Sequence, residues 1–452
     1  MKNPYKALIG FALLMLALSI VFGVIAVLSF FAPNSIADII PFQQARPFHV
    51  SAALFWIITA AVAGIILYKK ELSPLRNDRW ISAFAICWVL TVTAVFIAYA
   101  FNWYGGREYW EFPPVLNLFI WIAWIFLLIS CFKIFCRLTG KIPVYIWMWS
   151  TGLLFFFFTF TEQNLWHISW FRESFLKEVT VQWKSNGSMV GAWNQMIYGT
   201  SVYLMVKISG DKSIGTSWKA YASFFLGLTN LIFNWGHHIY NVPSASWIRG
   251  IAYTISMTEW VLVISIIQGF KKKLEEQRKF RHLVTYRFLV AAEAWIFLNL
   301  VLALLMSVPA INRYTHGTHV TVAHAMGTTI GINTMILLGS ISYMIRYGQG
   351  REQHNKYGLL NIAYWTSQAG LLIFWISLII AGLIKGMRTA ATPGALFSEI
   401  MAPVYPVLKV FMFSGFVLAG ALFIIVILML KALSRFRWTD AGDVPGAGSV
   451  QG

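Results

Sequence analysis

A histidine and a methionine lie two positions apart in the segment Thr318–Gly327, which reads THVTVAHAMG. Residues two apart on an α-helix point about 200° away from each other, so His324 and Met326 would face opposite sides of one helix. Both side chains bind haem iron. The segment therefore predicts a helix that ligates two haems, one on each flank, with a core methionine beside a polar histidine as the alternative interpretation.

A second candidate site is the adjacent pair His237–His238 near the end of an apolar run. Neighbouring imidazoles there can both reach a single non-haem iron or copper, and the alternative is a hydrogen-bonded interfacial pair. The cysteines at 87, 131 and 136 form no C-x-x-C-H attachment motif, so we expect any haem to be held noncovalently.

The elements that must position these residues are membrane-spanning helices. Of the 452 residues, 58% are hydrophobic and only 12% are charged, which is typical of a chain solvated by lipid. Apolar runs of roughly 20 residues, the length that crosses a bilayer, predict twelve spans. Their approximate bounds are 7–31, 48–68, 80–101, 114–136, 144–163, 187–207, 218–240, 248–269, 284–308, 318–346, 358–386 and 405–433.

These spans predict an all-α, polytopic membrane protein. The first run is too long for a signal-peptide core and is interpreted as a retained span. We expect one membrane domain over residues 1–438, followed by a flexible glycine-rich tail over 439–452.

The formal net charge of +18 is concentrated in the connections after even-numbered spans. The positive-inside rule then places both termini in the cytoplasm. This distribution explains the basic balance without nucleic acid, which we do not expect as a partner.

The predicted orientation brings four imidazoles to one depth. His49 begins the second span, His237 and His238 end the seventh, and His324 lies just inside the tenth, so all four fall in the outer half of the membrane. Each would carry a desolvation cost unless it were paired or ligated, which favours a metal site. Polar residues clustered at one depth also weaken the alternative of a transporter, whose polar groups would trace a path across the membrane.

Three segments together resemble the large catalytic subunit of bacterial nitric-oxide reductase, a twelve-helix member of the haem–copper oxidase superfamily. They are Phe233–His238 (FNWGHH), Gly106–Phe112 (GREYWEF) and Thr315–His324 (THGTHVTVAH). The resemblance extends from His49 to the last span.

The resemblance implies a set of ligands. His324 would be the proximal ligand of a high-spin haem, and His237 and His238 would bind the facing non-haem iron. His49 would be one axial ligand of a low-spin haem. The implied cofactors are two haems b and a non-haem iron, with copper as the alternative metal.

The resemblance also assigns roles to charged residues. Arg107 would contact haem propionates, and Glu108 and Glu111 would form a calcium site, since hard carboxylate oxygens suit calcium. Glu259 would be a proton-relaying carboxylate near the non-haem iron. Its alternative is a buried acid hydrogen-bonded to a neighbouring threonine.

The sequence departs from the family pattern at two ligands. Alignment through Trp183 places Asn186 where the family has a third histidine on the non-haem metal, and a shifted alignment would offer His167 instead. An amide oxygen is a weaker donor than imidazole, so we expect looser metal binding or an open position. Met326 replaces a histidine as second axial ligand of the low-spin haem, which raises its reduction potential.

The predicted function is reduction of nitric oxide to N2O in a bacterial inner membrane. Asn186 and Met326 favour the alternative of dismutation of NO to N2 and O2. A third interpretation is a non-catalytic haem protein, such as a sensor or an electron-transfer subunit. With no haem-c domain or quinol-oxidase-like extension expected, electrons would come from a partner of the cytochrome c or quinol-oxidising type.

Overall fold

The computed structural model describes residues 3–31, 39–72, 78–240, 242–243, 245–257, 281–346 and 358–435. Regular secondary structure in these ranges is helical, apart from one isolated bridge between Arg107 and Trp110. The long helices are α1 (Pro4–Phe31), α2 (Phe42–Tyr68), α3 (Arg79–Ala100), α4 (Val115–Phe135), α5 (Val144–Gln163), α6 (Phe175–Ser209), α7 (Trp218–Phe233), α8 (246–257), α9 (Leu283–Ser307), α10 (His319–Met344), α11 (Gly358–Ala391) and α12 (Tyr405–Arg435). Short helical segments are Lys69–Leu72, Leu165–His167, Ser169–Arg172, Ser213–Thr216, Asn234–Ile239, Pro309–Thr315 and Phe397–Met401.

Nine of the described helices are long and apolar enough to cross a membrane: α1 to α5 and α9 to α12. Helix α6 covers the predicted sixth span but is too polar to meet that criterion, and α7 ends at Phe233, before the predicted boundary. Of the predicted eighth span only the part up to residue 257 is described. The all-helical prediction is confirmed for the described residues, and the count of twelve spans stays a prediction.

Local sequence signals explain several helix ends. Asp78 precedes α3 and its carboxylate accepts a hydrogen bond from the backbone N–H of Trp80 at 3.1 Å, a standard N-cap. Thr318 caps α10 in the same way through Val320 N at 3.2 Å. Helix α6 ends at Gly210, whose φ of 72° is the left-handed conformation that glycine adopts without strain.

The chain divides into two compact units. The first comprises Met1–Leu138, Leu337–Gly370 and Gly415–Gly452. Its described core surrounds α2, most of whose side chains are buried. The indole N–H of Trp88 donates to Thr59 Oγ1 at 2.8 Å, which satisfies two polar groups inside that core.

The second unit comprises Thr139–Ile336 and Leu371–Ser414. Helices α5 and α6 approach closely in it because glycines face the contact. A Cβ at Gly152 would lie 2.8 Å from the carbonyl oxygen of Ala192, and one at Gly199 would lie 2.9 Å from Cδ1 of Trp149. The predicted single membrane domain over 1–438 stays a prediction, and the predicted tail over 439–452 falls outside the described residues.

Candidate metal centre

The histidine pair lies on the short helical segment Asn234–Ile239, directly after α7. The ring centroids of His237 and His238 are 4.1 Å apart, with 38° between the ring planes. The indole of Trp183, on α6, stacks on His238 at 5.6 Å with only 12° between the planes. An aromatic ring on one face restricts the imidazole to a single orientation, which suits a preorganised ligand.

Helix α6 passes this segment at contact distance because residue 187 is glycine. A Cβ at Gly187 would lie 2.9 Å from Cβ of Trp235 and 3.4 Å from Cδ2 of His238. The first of these distances is too short for real carbon atoms. The close approach of α6 to the histidine pair therefore requires a residue without a side chain here.

Asn186 precedes that glycine and lies one helical turn after Trp183. It is 4% exposed, and neither its Nδ2 nor its Oδ1 has a hydrogen-bond partner among the described residues. Burying an amide without partners costs about 1–3 kcal/mol per group. An unsatisfied amide on the turn that faces His238 fits a position where a metal, or a molecule bound to one, supplies the missing partner.

His324 lies in the first turns of α10, and two more histidines, His316 and His319, lie at or just before the start of this helix. His237, His316 and His324 all lie near enough to His238 for electrostatic interaction. Burial lowers the pKa of His316, which favours its neutral form. The structure thus brings together the imidazoles that the sequence placed at the ends of two different spans.

The chemistry of this donor set fits a haem and a second metal. The Nδ1 atom of His324 has no hydrogen-bond partner in the described part of the chain, and an imidazole in a membrane-spanning helix needs a partner or a metal. The described ranges contain no group of three His, Cys, Asp or Glu side chains arranged to hold a metal ion. Two imidazoles and the Asn186 amide would therefore be the described donors for the non-haem metal. Glu259, the predicted proton relay, falls outside the described residues.

His49, on α2 in the first unit, is oriented by a hydrogen bond from one of its ring nitrogens to a backbone carbonyl. Its Nδ1 lies 2.7 Å from the carbonyl oxygen of Ser19 on α1, so the imidazole donates there and leaves the lone pair of Nε2 for iron. A Cβ at Gly23 would lie 2.9 Å from the same Nδ1. His49 belongs to the first unit and Met326 to the second, and their pairing on one haem stays a prediction.

The two glutamates predicted to bind calcium are held by an arginine that the sequence analysis did not identify. Arg46 forms ion pairs with Glu108, at 3.6 Å, and with Glu111. Burial raises the pKa of Glu108, as does the Glu111 carboxylate, while Arg46 lowers it. Arg107 of the same loop pairs through its backbone with Trp110. The calcium site and the propionate contact stay predictions.

Besides Arg46, two buried polar residues of α9 were not identified from the sequence. Arg46 precedes His49 by three positions, so the i, i+3 spacing on α2 was the signal. Glu293 is 4% exposed within α9, and an acidic residue inside an apolar run was signal enough. Asn299, 2% exposed on the same helix, contacts the backbone of His324 and left no pattern in the sequence.

His167, the alternative third ligand, is exposed and packs on the ring of Trp166 at 3.8 Å.

Comparison with known proteins defines the class. A solved heme-copper terminal oxidase dimer aligns with a TM-score of 0.74 at 16% identity, covering 97% of this chain and 85% of that one, so the two share a fold. The family model described as "Cytochrome C and Quinol oxidase polypeptide I" matches residues 3–418. The chain therefore belongs to the haem–copper oxidase subunit I family.

Curated relatives fall on more than one branch of this family. The cbb3-type cytochrome c oxidase subunit CcoN1 of Stutzerimonas stutzeri is 21% identical, over 77% of this chain and 76% of its own length. A nitric oxide reductase subunit of the same organism is also 21% identical, over 83% and 82%. A cytochrome c oxidase subunit 1 homolog of Agrobacterium tumefaciens (strain T37) is 22% identical, over 94% and 82%. The predicted membership of the superfamily is confirmed. The oxidase and reductase relatives are almost equally similar to this chain, so sequence identity does not decide whether its substrate is oxygen or nitric oxide.

Proposed function

We propose that the chain is a catalytic membrane subunit that reduces nitric oxide, with the balance 2 NO + 2 H⁺ + 2 e⁻ → N2O + H2O. The observation that carries this proposal is that His237 and His324 lie within electrostatic range of His238 in one unit, and that the turn of α6 carrying the unsatisfied amide of Asn186 packs against His238. The motif around Glu108 and Glu111, which resembles that of the nitric-oxide reductases, favours NO over oxygen as substrate.

The proposed cofactors are two haems b and a non-haem iron or copper. When bound, the high-spin haem and the second metal would supply Lewis-acidic redox centres for nitric oxide. His324 would hold the first, and His237 and His238 the second. Trp183 stacks on the His238 ring and would help to keep it in place. Asn186 would orient a bound molecule through its free amide groups.

We place the protein in a bacterial cytoplasmic membrane, with both termini inside and the metal centre in the outer half. The basic connections after even-numbered spans support that orientation. The proposed electron donor is a partner of the cytochrome c or quinol-oxidising type, and His49 and Met326 are the proposed ligands of a low-spin haem.

One observation supports a second candidate, dismutation of NO by 2 NO → N2 + O2. This reaction needs no net electrons, so it tolerates a high-potential low-spin haem and a metal with a weak third donor. Asn186 would supply that weak donor, because the resemblance puts it where the family has an imidazole and its amide atoms have no hydrogen-bond partner among the described residues.

The deciding experiment supplies 15N-labelled NO to the purified, metal-analysed protein with and without reductant. Mass spectrometry follows N2O, N2 and O2, and an electrode follows oxygen uptake in a parallel sample. N2O that requires reductant supports reduction, and O2 formed without reductant supports dismutation. Oxygen uptake without NO turnover would make the chain an oxidase. No turnover, with iron only in haem, would leave the sensor or electron-transfer alternative.

The matched control is His167→Ala, which removes an exposed imidazole outside the described cluster. It should keep the activity of the unmodified protein. His237→Ala should lose both the second metal and the NO turnover while retaining haem. Equal activity in both variants would contradict the assignment of the histidine pair.

A further inference from the structure

Asn299 of α9 is bonded to the backbone of His324. Its Nδ2 donates to the carbonyl oxygen of His324 at 3.1 Å and to Oγ1 of Thr328 at 2.8 Å, and Thr328 Oγ1 donates to the same carbonyl at 3.1 Å. Asn299 is 2% exposed. A buried amide within a membrane-spanning helix is costly unless it is bonded, so this contact is a specific connection between α9 and α10.

The carbonyl of His324 lies next to a change in the hydrogen-bonding pattern of α10. The helix is α-helical over His319–Met326 and π-helical over Gly327–Thr334. A π-turn contains one residue more than an α-turn, and such turns are frequent at functional sites. If the change moved along the helix by one residue, the side chains before it would rotate by about 100° relative to those after it.

Close packing sets how near α10 lies to its neighbours but not where the π-turn begins. A Cβ at Gly331 would lie 2.6 Å from Cδ2 of Trp295, and one at Gly327 would overlap the side-chain amide of Asn299 and lie 3.1 Å from Nε1 of Trp375. The rings of Trp295 and Trp375 pack edge to face, with centroids 5.8 Å apart. Ring packing of this kind is largely non-directional, whereas the hydrogen bonds of Asn299 select one carbonyl.

We propose that Asn299 is a positioning residue that fixes the start of the π-turn and thereby the direction of the His324 imidazole. Met326 follows His324 by two positions on the same helix. The proposal rests on the proposed function because it takes His324 as an iron ligand. Asn299 itself touches no reacting group.

The test replaces Asn299 with leucine in the full-length, haem-loaded protein. Asn299→Leu keeps the branched skeleton of four side-chain heavy atoms and removes both hydrogen bonds. The matched control is Asn312→Leu, because Asn312 is 3% exposed and its Nδ2 donates to the carbonyl of Met306 at 2.9 Å, away from His324. Both variants lose a buried amide-to-carbonyl bond of the same kind.

Two measurements separate positioning from general stability. In the ferrous protein, the iron–histidine stretching band of the resonance Raman spectrum should shift or split in Asn299→Leu at unchanged haem content, and NO consumption per haem should fall about tenfold to a hundredfold. Asn312→Leu should lower thermal stability without moving the band. Thr328→Val, which removes one of the two side-chain bonds to the carbonyl, should move the band in the same direction by less.

An unchanged band in Asn299→Leu with full haem would overturn the proposal and leave the proposed function intact. If Asn299→Leu fails to fold, Thr328→Val decides: a shifted band supports the positioning role, and the original band overturns it. A wild-type protein with haem but no iron–histidine band, or with no haem, would instead refute the proposed function.

Discussion

Breaking the buried ion pair between Lys69 and Asp78 should destabilise the first unit strongly. Lys69, just after α2, is 2% exposed. Its Nζ donates to Asp78 Oδ2 at 3.1 Å, to the carbonyl of Ser130 at 2.9 Å and to the Ser130 hydroxyl, which in turn donates to Asp78. Three acceptors around one ammonium group replace its hydration shell.

The magnitude follows from which partner is lost. Removing the carboxylate leaves a buried, uncompensated ammonium, which costs about 3–5 kcal/mol. Asp78→Ala also removes the N-cap of α3, worth about 1 kcal/mol. The Asp78 side chain is 12% exposed, so water reduces the cost of the unpaired ammonium and we take the lower half of its range, about 3–4 kcal/mol. Together with the lost N-cap, Asp78→Ala should lower the free energy of unfolding by about 4–5 kcal/mol. Asp78→Asn retains a capping oxygen and should cost less.

Reversible unfolding in mixed micelles measures these differences. The double variant Lys69→Met/Asp78→Asn should recover most of the loss, because methionine removes the buried ammonium that Asp78→Asn alone leaves without a carboxylate partner. Glu162→Gln is the matched control, because it breaks a more exposed ion pair: the side chain of Glu162 is 23% exposed and that of its partner Lys184 is 37% exposed. Loss of this pair should lower the free energy of unfolding by less than about 1 kcal/mol. A double variant as unstable as Asp78→Asn alone would refute the reasoning.

The same pair predicts a pH dependence. Burial raises the pKa of Asp78, but hydrogen bonds from Ser130 and Lys69 and the Lys69 charge outweigh it, so the pKa lies below its ordinary value of 3.8. A carboxyl with a lowered folded-state pKa stabilises the fold fully above its unfolded pKa, and this stabilisation is lost as pH falls through the folded value. The unfolding free energy of the wild type should therefore decline more steeply below pH 3.8 than that of Asp78→Asn.

Three further changes test the candidate centre. Gly187→Ala should lower the free energy of unfolding by about 1–3 kcal/mol and release the non-haem metal, because the added Cβ would overlap Trp235. The control Gly250→Ala, whose Cβ would have no atom within 4 Å, should keep both stability and metal. Unfolding measurements and metal analysis test the two variants. His49→Ala should lower the haem content from two per chain to one in a pyridine haemochromogen assay, and unchanged content would remove His49 as a ligand. Asn186→His should slow metal loss to a chelator at least about tenfold, since imidazole is the stronger donor, and faster loss would show that the amide is not near the metal.

Hydropathy predicted most of the helices correctly because a bilayer imposes about the same length and apolarity on every span. The prediction was weakest near the candidate centre. Helix α6 carries Lys184, Asn186 and Asn194 within one stretch, so its polarity falls outside the membrane-span criterion. At the end of α7, the predicted span ran through His238, whereas the α-helix ends at Phe233 and a tighter helix carries the histidines.

The sequence by itself determined the family, the candidate haem and metal ligands and the helical class. The ligands could be predicted because ligand chemistry depends on residue type, and the helices because the length of each apolar run can be counted in the sequence. Tertiary structure decided which groups support those ligands. Arg46 reaches Glu111 across 65 positions and Asn299 reaches His324 across 25, and no periodic pattern records either contact. Hydrogen bonds are directional and act over about 3 Å, so their partners are settled only when helices distant in sequence pack together.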